Sequence, residues 1–591
     1  MSTKGKEIIQ LQDLKKLEIS ELNSVADDIR QFLITSISQT GGHIGANLGV
    51  IELTIALHYV FNSPYDRIIF DTGHQGYTHK LLTGRESLFP TLNSWGGMSR
   101  FLSRQESEHD IIDASHAGTS ISLATGIAWS LKKRGSDQHV VAVIGDGTMV
   151  EGMAFEGLNF AASEEQKIVI VLNDNGMAIP PNVGGILNLT TGDDWQEKSK
   201  CYFEGLGIEY LSVPNGHDIK SLVVALNEAK CRYKTVLVHV KTEKGRGLPF
   251  AKYHPYKMHF SMPFDPISGK GSSPTVLGKT YASVAAGEIE QLMEEDNEIV
   301  VITPATPYAS YIDNISKKYP DRVIDVGMAE QHAVGMACGI ALEGKKPVLC
   351  FQTTFMQRAF DQLLHDVAFM NFPITILGVR SGFSGYDSPT HHGLFDITYL
   401  RSFPNMQIYY PADSQDMRNI ISKRMNSPVG PMVILHPYET IADPEIVIGD
   451  YNPNGFSLLQ EGEEGLILCL GNCLNTAQQI TEKLKNNFKI NFGLACVRSI
   501  KPLPISSLLQ LFESNQRVIT MEEGILAGGF GSLISEFILD HRIDASILRS
   551  GVLDCFVPPG SKEECSRYSG IDAEQILQKI FDFWPELKTN N

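Results

Sequence analysis

The sequence predicts an α/β protein: three doubly wound domains with mostly parallel sheets. Three observations predict it. Short β-branched apolar runs recur along the chain, each followed by a turn and then by apolar residues at helical spacing. The chain has 591 residues, too many for one core and enough for three domains of ordinary size. Its hydrophobic fraction of 42% and charged fraction of 20% are those of a globular protein, neither disordered nor fibrous.

The elements follow in order. HVVAVI (139–144) reads as a buried strand, Gly145-Asp146-Gly147 as a sharp turn, and Val150, Ala154, Leu158 and Ala161 as one face of a helix that starts just after Gly147. KIVIVL (167–172) is the next strand. A strand–helix–strand unit of this length implies a parallel pair. RVIDV (322–326), a helix from about Ala329, PVLCF (347–351), a helix from about Phe355 to Met370 and PITILGV (373–379) form a second layer. GLILCL (465–470), a helix over 474–486, FGLACV (492–497) and VITMEE (518–523) form a third. Turn residues cluster at 264–274 and 451–455, which sets domains at 1–270, 275–440 and 455–591.

A formal net charge of −18 argues against nucleic acid and anionic membrane as partners. No apolar run approaches the roughly 20 residues that span a bilayer, and the first residues are not a secretory signal, so a soluble cytoplasmic protein is expected. The nine cysteines are scattered; Cys469 and Cys473 are the nearest pair and lack a second pair at zinc-site spacing, which reads as thiols in a reducing compartment.

The turn after 139–144 lies at the carboxyl end of its sheet, where α/β folds bind ligands. Gly145 and Gly147 let a phosphate approach backbone N–H groups, and a following helix N-terminus favours an anion. Asp146 is a hard oxygen ligand for Mg²⁺, which binds through one or two carboxylates plus phosphate oxygens. The next strand ends at Asn173-Asp174-Asn175; Asn175 offers a carboxamide oxygen and Met177 a backbone carbonyl to the same ion. Taken alone, Gly-Asp-Gly is as readily a plain strand–helix turn. Joined to Asn175 on the neighbouring strand end, it has the spacing of the diphosphate motif of thiamine-diphosphate enzymes. In such an enzyme a glutamate on the aminopyrimidine ring helps the thiazolium lose its C2 proton. Glu330, opening a helix after RVIDV, is the candidate, although a glutamate at a helix N-terminus is also normal for dipole reasons.

The blocks 41–61 (GGHIGANLGVIELTIALHYVF), 71–85 (DTGHQGYTHKLLTGR), 105–110 (QESEHD), 143–159, 173–184, 329–334 (AEQHAV), 353–368 (TTFMQRAFDQLLHDVA), 390–401 (THHGLFDITYLR) and 528–532 (GGFGS) together resemble the 1-deoxy-D-xylulose-5-phosphate synthase family, in order and over nearly the whole chain. The resemblance implies thiamine diphosphate, Mg²⁺ and a homodimer. It implies pyruvate as donor, glyceraldehyde 3-phosphate as acceptor, and release of CO₂. By motif match, His74 and Ser115-His116-Ala117 line the cofactor, with Gly147 and Thr148 at the diphosphate. Asp146, Asn175 and the Met177 carbonyl hold Mg²⁺, Phe355 stacks on the aminopyrimidine and Glu330 activates it. His43, His259, Asp387 and His391 match polar positions around the substrates, and Arg358 and Arg380 match arginines facing anionic groups. Any of these histidines alone would more often be structural.

The chain departs from the family pattern at substrate positions. Leu248 and Gln352 each stand where the family has tyrosine. Tyr438 stands where an arginine is expected to hold the acceptor phosphate, and Glu439 beside it would repel an anion if it faced the ligand. These departures leave a paralogue using another aldehyde as an alternative. Transketolase-type ketol transfer and a non-catalytic thiamine-diphosphate binder are further readings. A nucleotide-dependent dehydrogenase fails for want of a GxGxxG turn followed by an acidic residue.

Overall fold

The structure, a computed structural model, describes residues 8–163, 166–271, 279–441 and 455–588. The boundary expected at 451–455 lies, apart from its last residue, outside the described residues, and the one at 264–274 runs out of them after 271. The chain forms two compact units. One holds the chain up to residue 275 with Gly327–Ala329; the other holds 276–326 and everything from Glu330 on.

The first unit is built on strands β1 (Arg67–Phe70), β2 (Val140–Gly145), β3 (Ile168–Asp174), β4 (Glu209–Val213) and β5 (Val236–Lys241), in the order β1-β2-β3-β5-β4. All neighbours are parallel. Every residue of β3 is buried, as a central strand covered by helices on both faces requires. One consequence of the β2–β3 register is that Gly145 sits opposite Asn173, which puts the Asp146 turn and the Asp174-Asn175 strand end side by side.

The helix expected just after Gly147 starts later. A single 3₁₀ turn, Asp146–Val150, comes first, and the α-helix runs Gly152–Ser163. Glu151 between them is extended, and Gly147 is pressed against the loop after β3, where a Cβ would lie 2.6 Å from the Ala178 Cα. That contact holds the turn down and delays the helix.

The second unit carries two sheets. Strands β6 (Ile299–Thr303), β7 (Val323–Asp325), β8 (Lys346–Gln352), β9 (Thr375–Val379), β10 (Gln407–Tyr409) and β11 (Met432–His436) are parallel. Strands β12 (Phe456–Gln460), β13 (Gly465–Cys469), β14 (Phe492–Val497), β16 (Arg517–Ile525) and β17 (Ser546–Val552) form the other sheet, parallel except for β12 against β14. Between these falls β15 (Ser499–Lys501), which pairs antiparallel with β10 and so joins the earlier sheet. One buried cluster runs through both sheets, with Ile408, Val433, Leu468 and Ile500 among its members.

The expected helix from Phe355 to Met370 is a broken one. It runs as a short α-turn Thr353–Met356, a 3₁₀ turn, a second short α-turn and a π-helix Leu363–Phe369. Such irregular turns gather at functional sites. No helix among the described residues is long and apolar enough to cross a membrane.

Candidate cofactor and substrate site

In the first unit the Asp146 carboxylate is buried. Its Oδ2 accepts from the Gly176 N–H and the Asn182 side chain, both at 2.7 Å. Its Oδ1 is buried with no hydrogen-bond partner among the described residues. Burial, and then the neighbouring Asp174, push the Asp146 carboxyl well above the usual carboxylate range. A buried carboxylate with an unmet oxygen beside a second carboxylate is a place for a cation. Asn175, whose Oδ1 accepts from the Met177 N–H at 3.1 Å, begins the loop that brackets the same turn. No cluster of three or more His, Cys, Asp or Glu side chains suited to a metal occurs among the described residues. A buried carboxylate with neutral amide oxygens on the adjoining loop suits an ion that binds through few carboxylates plus phosphate, as Mg²⁺ does. The residues present fit a magnesium–diphosphate group.

Lys244 adds the positive charge that the sequence reading passed over. Its ammonium is buried, donates to the Ala178 carbonyl at 2.8 Å, and is brought down to about 7 by burial, an effect that Asp146 opposes. The signal was present: a lysine directly before Gly245-Arg246-Gly247, just beyond β5.

Three histidines gather nearby. The rings of His43 and His74 are 5.6 Å apart, those of His43 and His259 5.4 Å, and those of His74 and His259 5.1 Å. Phe101 and Phe260 wall the His43 ring. Burial and the Lys244 charge hold His74 down at about 3 and His259 well below the ordinary value, so both are neutral near pH 7. A neutral imidazole can donate at one nitrogen and accept at the other. Asn47, also missed from sequence, ties the group together: its amide donates to the His43 and His74 carbonyls at 2.7 Å each and accepts from the Tyr77 N–H. The loop with Ser115, His116 and Ala117 is anchored by the buried Asp71 carboxylate, which accepts from the Gly118 and Ser120 N–H groups. Thr148 and Gly147 lie buried in the turn itself.

In the second unit Glu330 opens the helix Glu330–Leu342 and is buried; its Oε2 has no hydrogen-bond partner among the described residues. Burial raises its carboxyl above the ordinary range, and the charge of Arg358 opposes this. Phe355 meets the His391 ring edge-on at 5.5 Å, and His391 is held by the Ser388 hydroxyl at 2.6 Å. Arg380 stands in the left-handed backbone region, at φ +66°, an uncommon state for a non-glycine residue and one that gathers at functional sites. Its guanidinium pairs with Asp387 at 2.9 Å and lies 4.2 Å over the Tyr438 ring; its Nε is buried without a partner among the described residues. The buried Gln352 bonds the half-buried Tyr308 in the same group.

Glu439 does not stand as a bare charge. Lys562 pairs with it, lies 2.8 Å from Glu523, and donates to the Asn472 carbonyl at 2.7 Å. The repulsion expected from Glu439 is offset by this ammonium. Among the described residues the cysteines are free thiols.

Residues 6–200 and 191–242 match a family model described as 1-deoxy-D-xylulose-5-phosphate synthase. Residues 278–441 match the transketolase pyrimidine binding domain, and 456–576 the transketolase C-terminal domain. Parallel sheets carrying these domains define a transketolase-like, thiamine-diphosphate-dependent transferase. Three curated relatives bear the name 1-deoxy-D-xylulose-5-phosphate synthase. That of Carboxydothermus hydrogenoformans is 37% identical over 98% of each chain. That of Caldanaerobacter subterraneus is 36% identical, again over 98% of each, and that of Listeria monocytogenes is 39% identical over 97% of each. The chain belongs to the 1-deoxy-D-xylulose-5-phosphate synthase family.

Proposed function

We propose that the chain decarboxylates pyruvate and joins the remaining two-carbon unit to an aldehyde, with glyceraldehyde 3-phosphate as acceptor and 1-deoxy-D-xylulose 5-phosphate and CO₂ as products. The pyruvate C1–C2 bond breaks with its electron pair left at C2. That carbon then bonds to the aldehyde carbon, whose oxygen takes a proton. Thiamine diphosphate, when bound, supplies the sink for the electron pair.

The observation that carries this reading is a matched pair of defects. Asp146 in one unit and Glu330 in the other each keep a buried carboxylate oxygen that no described protein group satisfies. Such oxygens are costly unless a ligand meets them. Asp146, Asn175 and the Met177 carbonyl would hold Mg²⁺; Gly147 and Thr148 would receive the diphosphate, with Lys244 nearby. His74 and Ser115–Ala117 would line the cofactor, Phe355 would stack on its flat ring, and Glu330 would bond the ring nitrogen. His43, His259, Asp387 and His391 would relay protons, and Arg358 and Arg380 would take anionic substrate groups. In this division residues 1–270 carry the diphosphate, 275–440 the aminopyrimidine, and 455–591 support assembly. We also read the chain as a cytoplasmic homodimer. Leu123, Trp129, Met153, Phe155 and Phe160, exposed on the helices Ser120–Lys133 and Gly152–Ser163, suit burial against a second copy.

One observation favours a second acceptor. Arg380 is already compensated by Asp387 and covered by Tyr438. Its free attraction for a phosphate is reduced, which suits an aldehyde with an uncharged far end. The test is incubation with pyruvate, Mg²⁺ and thiamine diphosphate against phosphorylated and free aldehydes, with products read by NMR and CO₂ trapped. CO₂ with a 1-deoxyketose product is expected. Ketol transfer from a sugar phosphate without CO₂ would sink the reading in favour of a transketolase activity, and no turnover with any aldehyde would favour a non-catalytic binder.

A further inference from the structure

Asp174 ends β3 directly before Asn175, and it is buried. Its Oδ2 accepts from His239 Nε2 at 2.7 Å and pairs with Lys241 Nζ at 2.5 Å. Both partners come from β5, whose register sets Lys241 opposite Asp174. With Nε2–H donating to the carboxylate, His239 Nδ1 is the acceptor, and the Tyr210 hydroxyl donates to it at 3.0 Å. The His239 ring meets Trp195 edge-on at 4.6 Å, and the same indole lies 5.0 Å from the Lys241 ammonium. Asp174 is therefore a carboxylate whose charge is met within the protein, unlike Asp146 beside it.

Lys241 has a second bond. Its ammonium also donates to the Thr190 carbonyl. One cation thus grips residue 174 and residue 190, the two ends of the segment that carries Asn175, Met177 and Asn182. Inside that segment Asn182 N–H bonds the Gly176 carbonyl at 3.0 Å, and Asn182 Nδ2 bonds Asp146. Trp195 caps the clip from the start of the next helix.

We propose that Lys241, braced by Asp174, His239 and Trp195, is a positioning residue for the cofactor: it closes the 174–190 segment so that the Asn175 side chain and the Met177 carbonyl are set for the Mg²⁺–diphosphate group before that group arrives. The physical reason is preorganisation. A segment ordered in the free protein loses less freedom on binding than one that must be ordered by the ligand. Groups behind metal ligands fix the geometry of those ligands. Lys241 itself touches no ligand in this scheme, and it acts through the loop. The inference rests on the magnesium and thiamine diphosphate reading of the Asp146 site.

The test uses the full-length cofactor-free protein, titrated with thiamine diphosphate at fixed Mg²⁺ in a calorimeter, alongside its melting temperature and hydrogen exchange over 175–190. Lys241→Met is expected to weaken cofactor binding by about 10–100-fold and to speed exchange in that segment. Trp195→Leu should do the same to a smaller extent, and it stands in if Lys241→Met does not fold. Lys241→Arg, which keeps the charge and offers donors for both oxygens, should bind within about threefold of the parent. The shift is expected in the cofactor and Mg²⁺ midpoints and not in the KM for pyruvate. Unchanged cofactor affinity in Lys241→Met, or weakening that merely tracks a falling melting temperature in all three variants, would overturn the proposal. Absence of Mg²⁺-dependent binding in the parent protein would instead remove the cofactor reading beneath it.

Discussion

Two regions of the chain treat buried charge in opposite ways. Around Asp146 and Glu330, carboxylate oxygens are buried and left unmet. Around Arg380 and Glu439, each charge already has a protein partner, Asp387 in one case and Lys562 in the other. In the proposed function the cofactor would supply the partner at Asp146 and Glu330, while at Arg380 and Glu439 a ligand's own charge would count for less. On the proposed reading the cofactor would be gripped hard and the far end of the acceptor lightly.

The widest test of that contrast is removal of an unmet group. Glu330→Ala is expected to lower turnover by about 10²–10⁴-fold, the range of a lost acid–base group, while the protein still binds cofactor. Steady-state kinetics with saturating cofactor, paired with calorimetric binding, check it. Activity unchanged by the substitution would make Glu330 a helix-terminal charge and nothing more. Asp146→Ala is expected to fail differently, raising the thiamine diphosphate dissociation constant by about 100-fold or more, since even groups behind a metal ligand account for about 10–100-fold. Titration with cofactor at several Mg²⁺ concentrations reads it, and a variant whose affinity still rises with Mg²⁺ would move the ion elsewhere.

The contrast is sharpened from the other side by Tyr438→Arg. A charged hydrogen bond contributes roughly 1.5–3 kcal/mol against about 1 for a neutral one, so the preference for glyceraldehyde 3-phosphate over glyceraldehyde, as a ratio of kcat/KM values, should rise about tenfold. An unmoved ratio would separate Tyr438 from the acceptor and leave Arg380 as the sole handle on its far end.

How much of this could be read from the sequence follows from what is local. β14 is Phe492–Val497, just as its continuous apolar run suggests, because a strand covered on both faces needs no alternation. That Asp146 and Asn175 lie side by side was legible because adjacent parallel strands end together. The late helix start after Gly147 was not, because it depends on the approach of Ala178, which only the fold brings there. Nor was the fate of Glu439, whose partner Lys562 lies 123 residues away. His43, His74 and His259 come from three separate loops; only the family resemblance suggested grouping them, and the ring distances now show the group. The grip of Lys241 on the Thr190 carbonyl has no sequence signature.

The smallest expected effect asks whether unmet charge also marks the second unit away from Arg380. Asp396 and Glu522 are buried, and burial raises each to about 7. Glu522 accepts from the Phe530 and Gly531 N–H groups, at 2.8 Å and 2.7 Å, and still lies high; Asp396 adds to its rise. For a carboxyl whose folded value exceeds its unfolded one, the fold binds more protons than the unfolded chain. Its stability is then full below the unfolded value near 4 and is lost as pH rises through about 7. The melting temperature of the cofactor-free protein should therefore fall between pH 5 and pH 8, beyond what net charge alone brings. Asp396→Asn, which keeps the shape and removes the charge, should flatten that fall and raise the melting temperature at pH 8 by roughly 1 °C for each kcal/mol of burial cost relieved. If the variant and the parent lose stability in parallel across that range, Asp396 is not the group that titrates. The fall would then be traced to Glu522, which burial also raises to about 7.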